Sequence, residues 1–213
     1  MRAKALILDM DGVLIDSNPL HAQAWVQYLT QYDKPADSML ERMHGKRNDQ
    51  IVRALFGEDM PEEEVFAHGA AKEALYRTLM KPHVMEKLIP GVAAFLERHR
   101  ESPLGVASNA EPANVAFVLD EGGLRHYFSA VVDGHQVAHP KPHPEIYLRV
   151  AAELGVRPEE CVIFEDSATG IEAARRAGAR VVAVRSTEVP LPPTDFSIRD
   201  FNDPALETWL AES

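Results

Sequence analysis

The stretch ALILDMDGVLIDS, residues 5–17, places two aspartates, Asp9 and Asp11, directly after a short apolar run. Apolar residues without alternation are typical of a strand that is covered on both faces, as in a parallel sheet. Side chains two residues apart on a strand point the same way. We therefore expect a buried first strand whose carboxyl end presents two carboxylates to one site.

Similar apolar runs recur along the chain and alternate with helical patterns. The predicted strands are residues 4–9, 104–108, 130–133, 161–165 and 180–184. The helices predicted among them, and after the last one, are residues 92–100, 112–121, 144–154, 170–177 and 204–210. Alternating strands and helices predict an α/β fold, a Rossmann-like doubly wound parallel sheet.

The segment after the first strand differs, because no strand pattern occurs before residue 89. Its helical patterns cover residues 20–32, 38–43, 49–56 and 61–80. We predict a helical cap, residues 17–88, inserted into a catalytic core that is formed by residues 1–16 and 89–213.

Composition narrows the possible functions. The net charge of −11 argues against nucleic-acid binding, which needs a basic face, but it does not exclude an anionic substrate. The single cysteine, Cys161, cannot form an internal disulfide, which fits a reducing compartment. No run reaches the roughly 20 apolar residues of a membrane span. We expect a cytoplasmic protein with no membrane partner, as a monomer or small homo-oligomer.

Polar side chains follow four of the predicted strands, at the edge where sites form in parallel sheets. They are Asp9 and Asp11, Ser108 and Asn109, Lys141, and Glu165 and Asp166. Two carboxylates at about 4 Å repel by roughly 4 kcal/mol at an effective dielectric constant near 20. One lysine cannot balance such a cluster, so we predict a Mg²⁺ ion held by Asp9, Asp11, Asp166 and, with less support, Glu165.

This residue set suits phosphoryl transfer. Asp9, at the strand end, can attack phosphorus as a nucleophile. Asp11 begins a turn that contains a glycine, and can act as general acid and then as general base. Lys141 and Mg²⁺ would neutralise the phosphoryl oxygens, while Ser108 and the backbone N–H groups after it would bind them.

Four motifs resemble those of one known family. DMDGVLIDS, VASN, KPHPEIY and FEDSATGIEAARRAG, in this order, are similar to the motifs of the haloacid dehalogenase-like hydrolases. The resemblance covers nearly the whole chain. The helical insertion resembles the cap of the first structural subclass, and the chain resembles the β-phosphoglucomutase-like phosphatases of that subclass.

The resemblance implies a phosphoaspartate mechanism. Asp9 would be the nucleophile, and Asp11 the acid and base, with its backbone carbonyl on Mg²⁺. Asp166 would be a direct metal ligand. Glu165 would bind the metal directly or through water, because consecutive strand residues face opposite ways. Ser108 and Lys141 would bind the transferring phosphoryl group.

The choice between a phosphatase and a mutase depends on the residues after Ser108. Sugar-phosphate mutases of this family resemble one another in having a serine and a lysine where this chain has Ala110 and Glu111. A glutamate would repel a second phosphate, which favours the phosphatase. His21 matches the position of a mutase histidine that phosphatases can also carry, so it does not decide the question.

Substrate contacts are predicted mainly in the cap. The predicted substrate-binding residues are His21, Gly45, Lys46, Arg47 and Asn109. The loop MHGKRND, residues 43–49, joins two helices, and its two cations could meet a substrate anion. The alternative is an exposed turn with Asn48 as the helix N-cap. Arg77 and Lys81 are interpreted as exposed helix charges.

Other classes fit the residues less well. Dehalogenases resemble this chain in Asp9 but lack the second aspartate. Phosphonate hydrolases need a cap lysine, for which Lys46 and Lys81 carry no distinguishing mark. A signalling receiver domain is shorter and takes its acceptor aspartate from a middle strand. We therefore predict a Mg²⁺-dependent phosphatase of a small phosphorylated metabolite, a sugar phosphate. The alternatives are a β-phosphoglucomutase-type mutase and, less favoured, a non-catalytic protein that binds phosphorylated metabolites.

Overall fold

A parallel sheet forms the centre of the molecule. The computed structural model describes residues 3–43 and 46–212. The strands are Ala5–Leu8 (β1), Leu104–Ala107 (β2), Ala130–Val132 (β3), Cys161–Glu165 (β4), Arg180–Val184 (β5) and Phe196–Ile198 (β6). They form one six-stranded sheet in the order β3-β2-β1-β4-β5-β6, with every neighbouring pair parallel. The predicted α/β fold is confirmed.

The first strand lies in the middle of the sheet. Leu6 pairs with Leu104 of β2 on one side and with Val162 of β4 on the other. Chain order runs outward in both directions from this point, so the crevice at the carboxyl end of β1 is the topological switch point. The fold therefore predicts a binding site at Asp9.

Helices cover both faces of the sheet and the end of β1. They are Asn18–Thr30 (α1), Met39–Met43 (α2), Asn48–Phe56 (α3), Glu62–Met80 (α4), Val84–Lys87 (α5), Val92–Arg98 (α6), Pro112–Glu121 (α7), Glu145–Glu153 (α8), Ala168–Arg176 (α9) and Pro204–Glu212 (α10). Short 3₁₀ turns occupy Lys81–His83, Arg125–Tyr127 and Pro158–Glu160. No described helix is long and apolar enough to cross a membrane.

Each predicted helix and strand is present within one to two residues of its predicted ends. The sequence missed β6 and α5. β6 has three residues, lies at the sheet edge and follows a proline-rich stretch, and α5 has four residues, so neither carries a periodic pattern.

Apolar residues form three clusters. Two lie on the opposite faces of the sheet, with Phe164 in one and Ile163 in the other. The third lies among α1, α2, α3 and α4 and contains Trp25, Tyr28 and Leu29, as predicted. Tyr76 of α4 belongs to the first of the sheet clusters, whereas Val65 of the same helix belongs to the third cluster. Helix α4 therefore packs against both clusters. The domain boundaries at residues 16/17 and 88/89 stay a prediction.

Candidate active site

The turn after β1 places both aspartates. The backbone N–H of Asp9 donates to the carbonyl of Phe164 on β4, 3.0 Å away, which extends the strand pairing up to the carboxylate. Gly12 follows with φ +77°, a conformation that favours glycine. A Cβ at Gly12 would overlap the Asp166 carboxylate. The glycine is therefore needed for the turn and for the close approach of β4.

Lys141 reaches the same place from the loop after β3. Its Nζ lies 2.7 Å from Asp9 Oδ1 and 2.6 Å from Glu165 Oε1, and it donates to the carbonyl of Ala107 at 3.0 Å. The ammonium is buried, and the two carboxylates outweigh the cost of its burial and raise the pKa of Lys141 above its usual value. Lys141 is a fixed positive charge at the end of β1.

Glu165 is bound on both of its carboxylate oxygens. Oε1 accepts from Lys141 and from the hydroxyl of Tyr147, which is 2.7 Å away. Oε2 accepts from the backbone N–H groups of Asp166 and Ser167 at 2.9 and 3.0 Å. The sequence did not indicate this role of Tyr147, because a tyrosine on an amphipathic helix is usually a residue of the hydrophobic core. Glu165 thus links β4, α8 and the Lys141 loop.

Asp9, Glu165 and Asp166 form an acidic cluster at this edge of the sheet. One oxygen from each lies within 4.8 Å of the others. Burial, and then the neighbouring charges of Glu165 and Asp9, raise the pKa of Asp166 well above its usual value. Burial also raises the pKa of Asp9, which Lys141 offsets only in part. The cluster therefore has excess negative charge, and its oxygen atoms are the ligands that Mg²⁺ prefers.

Asp11 faces away from this cluster, toward the helices after β1. The Ser17 hydroxyl donates to Asp11 Oδ1 at 2.5 Å, and His21 Nε2 lies 3.6 Å from the same oxygen. Burial raises the pKa of Asp11, but His21 and Ser17 outweigh it and lower the pKa below its usual value. Asp9 and Asp11, two residues apart, therefore have opposite pKa shifts.

A buried lysine lies behind His21. Lys72 of α4 is 1% exposed, and its Nζ lies 2.9 Å from His21 Nδ1 and 2.7 Å from Glu73 Oε1. The imidazole of His21 stacks on the ring of Tyr76, with centroids 3.6 Å apart. Nothing in the sequence indicates a role for Lys72 and Glu73, because one charged pair among many on a long helix carries no distinguishing mark.

Glu73 connects α4 to α3 and α7. Asn48 Nδ2 of α3 donates to Glu73 Oε1 at 2.5 Å, and Asn114 Nδ2 of α7 donates to Oε2 at 2.6 Å. Burial raises the pKa of Glu73, but the charges of Lys72 and then of His21 lower it to about 2. The carboxylate is ionised and is held from three sides.

Arg77 also connects α4 to α7 and to Glu111, the residue before that helix. Its Nη1 donates to Glu111 Oε1 at 2.5 Å and to Asn114 Oδ1 at 2.6 Å. Its side chain is 27% exposed. The interpretation of Arg77 as an exposed helix charge is therefore wrong, because α4 packs against α7 there. Lys81, 68% exposed, fits that interpretation.

The remaining predicted residues that the structure describes line the same cavity. Ser108 Oγ accepts from the backbone N–H of Ala110 at 3.1 Å, and Asn109 Oδ1 accepts from the backbone N–H of Lys141 at 3.3 Å. Lys46 and Arg47 line the cavity from the cap loop, and Arg47 pairs with Asp49 at 3.3 Å. Asn48 is the first residue of α3 rather than its N-cap. Gly45 lies outside the described residues.

One cavity therefore has two chemically different halves. The strand-end half contains Asp9, Lys141, Glu165 and Asp166, and the cap half contains His21, Lys72, Glu73 and Glu111, with Asp11 between them. A nucleophilic carboxylate, a fixed cation and a second carboxylate that can exchange a proton are the groups that phosphoryl transfer through aspartate requires.

Comparison with known proteins agrees with the motifs. Residues 3–178 match the model of the haloacid dehalogenase-like hydrolases. Fructose-1-phosphate phosphatase YqaB of Escherichia coli strain K12 is 35% identical over 185 residues, 86% of this chain and 97% of that protein. β-Phosphoglucomutase of Bacillus subtilis strain 168 is 30% identical over 213 residues, 96% of this chain and 92% of that one.

Comparison of the structure with solved structures also finds a β-phosphoglucomutase. The crystal structure of β-phosphoglucomutase from Clostridium difficile superposes with a TM-score of 0.88 at 24% identity, covering 99% of this chain and 98% of that one. The resemblance inferred from the four motifs is thus confirmed. The chain belongs to the haloacid dehalogenase-like hydrolases, as an enzyme of the part of that family that includes phosphatases and β-phosphoglucomutases.

Proposed function

We propose that the protein is a Mg²⁺-dependent phosphatase that hydrolyses a sugar phosphate through an aspartyl-phosphate intermediate. The observation that carries the proposal is the pair of aspartates after β1. Asp9 lies 2.7 Å from a buried lysine in the strand-end half, while Asp11 is held by Ser17 and His21 toward the cap. These different surroundings support different tasks for the two carboxylates, on the two sides of one phosphoryl group.

The acidic cluster of Asp9, Glu165 and Asp166 is the proposed Mg²⁺ site. Asp9 and Asp166 would hold Mg²⁺ by their carboxylates, with Asp11 contributing its backbone carbonyl. Glu165 already accepts from Lys141, Tyr147 and two backbone N–H groups, which favours an indirect role through water. When bound, Mg²⁺ neutralises the charge of the phosphoryl oxygens and of the carboxylates around them.

In the first step a carboxylate oxygen of Asp9 forms a bond to phosphorus, and the bond from phosphorus to the sugar oxygen breaks. Asp11 gives its proton to that oxygen, and the sugar leaves. The phosphoryl dianion beside Asp11 favours the protonated form, because like charges raise the pKa of a carboxyl group. Lys141 and Ser108 hold the phosphoryl oxygens through the step.

In the second step water attacks the phosphorus of the aspartyl-phosphate. Asp11, now ionised, takes a proton from the water, and the bond from phosphorus to Asp9 breaks. Inorganic phosphate leaves, Asp9 is a free carboxylate again, and Asp11 carries the proton for the next cycle. Atoms and protons therefore balance over one turnover.

Glu111 favours a phosphatase over a mutase. A mutase must hold a sugar bisphosphate in both orientations, which requires cations on the far side of the cavity. Here Glu111 lies on that side and already pairs with Arg77. The E. coli relative is named as a fructose-1-phosphate phosphatase, which supports a sugar phosphate as substrate.

A substrate panel tests the proposal. Phosphate release is measured with Mg²⁺ on sugar phosphates, nucleotides and phosphoglycolate, and interconversion of sugar 1- and 6-phosphates is measured in parallel. We expect sugar phosphates to be hydrolysed fastest, with hydrolysis exceeding interconversion. Interconversion that outpaces phosphate release would show that the protein is a mutase.

A further inference from the structure

We propose that the cap half of the cavity selects substrates whose non-reacting end is uncharged, with Glu73 and Glu111 as the residues that reject a second anionic group. The inference rests on the proposed phosphatase function and names its substrate class. That class is a neutral, polyhydroxylated monophosphate, such as the monophosphate of a sugar or sugar alcohol, rather than a bisphosphate or a phosphorylated sugar acid.

The two α4 cations on this side, Lys72 and Arg77, already have carboxylate partners. Lys72 Nζ lies 2.7 Å from Glu73 Oε1, and the two side chains are 2% and 4% exposed. Arg77 Nη1 lies 2.5 Å from Glu111 Oε1, and the Glu111 side chain is 15% exposed. A second phosphate would therefore meet ion pairs rather than free cations. It would have to displace a carboxylate from its partner in order to bind.

The pair of Arg77 and Glu111 also presents its carboxylate, rather than its cation, to the cavity. Glu111 and Asn114 line the cavity, whereas Arg77 binds both of them from behind and does not line it. An incoming group thus meets the carboxylate first. Asn48 and Asn114 orient Glu73 by hydrogen bonds, but amides add no net charge.

Two further cations lie at the mouth of the cavity. Arg47 is already paired with Asp49 at 3.3 Å, and its side chain is 24% exposed. Lys46 is exposed, so solvent screens its charge and it compensates a buried anion weakly. Hydroxyl groups suit this half better, because they can donate to Glu73 and Glu111 without adding charge.

Two substrates that differ in one group test the proposal. The kcat/KM for phosphate release is measured with Mg²⁺ on fructose 1-phosphate and on fructose 1,6-bisphosphate. We expect the wild-type enzyme to prefer the monophosphate by about tenfold or more, because a second phosphate would have to displace a carboxylate from its cation. Glu111→Gln and Glu73→Gln should each reduce this ratio by about threefold or more, whatever they do to the absolute rates.

The matched control is Glu121→Gln. Glu121 lies on the same helix, α7, and pairs with the cap residue Lys81 at 3.5 Å, but it does not line the cavity. The ratio of the two kcat/KM values in Glu121→Gln should equal that of the wild type. Lys46→Ala tests the competing cation, and we expect the preference for the monophosphate to persist in this variant.

The outcomes separate the two proposals. Equal kcat/KM values for both substrates in the wild type, or unchanged ratios in both Glu73→Gln and Glu111→Gln, would overturn the selection proposed here and leave the phosphatase intact. A preference for the bisphosphate that Lys46→Ala removes would do the same. Release of phosphate from neither substrate, nor from any other sugar phosphate, would refute the phosphatase itself and, with it, this inference.

Discussion

The two halves of the cavity handle buried charge in opposite ways. In the strand-end half, three carboxylates share one lysine, and the pKa values of Asp9 and Asp166 are raised. In the cap half, Glu73 is matched by Lys72, its pKa is lowered to about 2, and Glu111 is matched by Arg77. The first half thus needs a further cation, whereas the second is balanced within the protein.

The difference fits the two binding roles proposed above. A site for a phosphoryl group and a metal gains from uncompensated carboxylates, because the arriving cation relieves their repulsion. A site for an uncharged sugar gains from groups that are already paired. The carboxylates of the strand-end half and those of the cap half therefore lie in one cavity but suit different ligands.

The largest expected effect is the loss of the nucleophile in the strand-end half. Asp9→Asn removes the oxygen that attacks phosphorus, and we expect phosphate release to fall by about a thousandfold or more. Asp120→Asn, an exposed substitution of the same kind, should retain wild-type activity. Full activity of Asp9→Asn, measured by phosphate release, would remove Asp9 from the proposed role.

The next effect concerns stability in the same half. Lys141→Met leaves Asp9 and Glu165 buried without their cation, and breaking a buried ion pair costs about 3–5 kcal/mol of unfolding free energy. Urea unfolding without metal measures it. Lys4→Met removes a lysine that is 64% exposed and paired with Glu160, and should cost about 1 kcal/mol or less.

A second variant keeps this prediction measurable if Lys141→Met does not fold. Lys141→Met combined with Glu165→Gln removes one of the two unpaired charges, and we expect it to be more stable than the single variant. A cost no larger for Lys141→Met than for Lys4→Met would show that the strand-end half does not depend on its lysine.

The cap half should show a different pH dependence. The pKa of Glu73 is about 2, below its ordinary 4.5, so its ion pair contributes stability above pH 4.5 that is lost as the pH falls towards 2. The shift corresponds to about 3 kcal/mol at most. Glu73→Gln should therefore be less stable than the wild type at pH 7, and the difference should shrink from pH 4.5 downward.

Thermal or urea unfolding across this pH range measures the difference. Glu63→Gln, exposed on the same helix, is the control and should follow the wild-type curve at every pH. A wild-type advantage over Glu73→Gln that is independent of pH would contradict the assigned ion pair.

The smallest expected effect is the rise in Tm on addition of Mg²⁺. It should depend on the strand-end half and not on the cap half. Ligand at 100 times its Kd stabilises a protein by about 2.7 kcal/mol, which is roughly 5–10 °C in Tm for a chain of this length. We expect Mg²⁺ to raise the Tm of the wild type and of Glu73→Gln, but not that of Asp166→Asn. An equal rise in Asp166→Asn would exclude Asp166 as a ligand.

Local sequence patterns were enough to predict five of the six strands, the longer helices and the residues at the strand ends. Apolar runs mark buried strands, and parallel strands must bring their carboxyl ends together, so Asp9, Lys141 and Asp166 could be placed at one edge without coordinates. The ends of helices shifted by a residue or two, because fraying and capping depend on contacts that are not local.

Tertiary structure alone decided the roles of the α4 residues in the cap half. Lys72, Glu73 and Arg77 are three charges on one helix, and their pattern does not distinguish them from exposed neighbours such as Glu63. Their roles come from the packing of α4 against α1, α3 and α7, which buries Lys72 and Glu73 and turns Arg77 toward Glu111. Burial and pairing are properties of the assembled chain, because they depend on residues far away in the sequence. That is why the sequence pointed to the reaction and to Glu111, whereas the pairing of Glu73 and Glu111 with their cations appeared only in the fold.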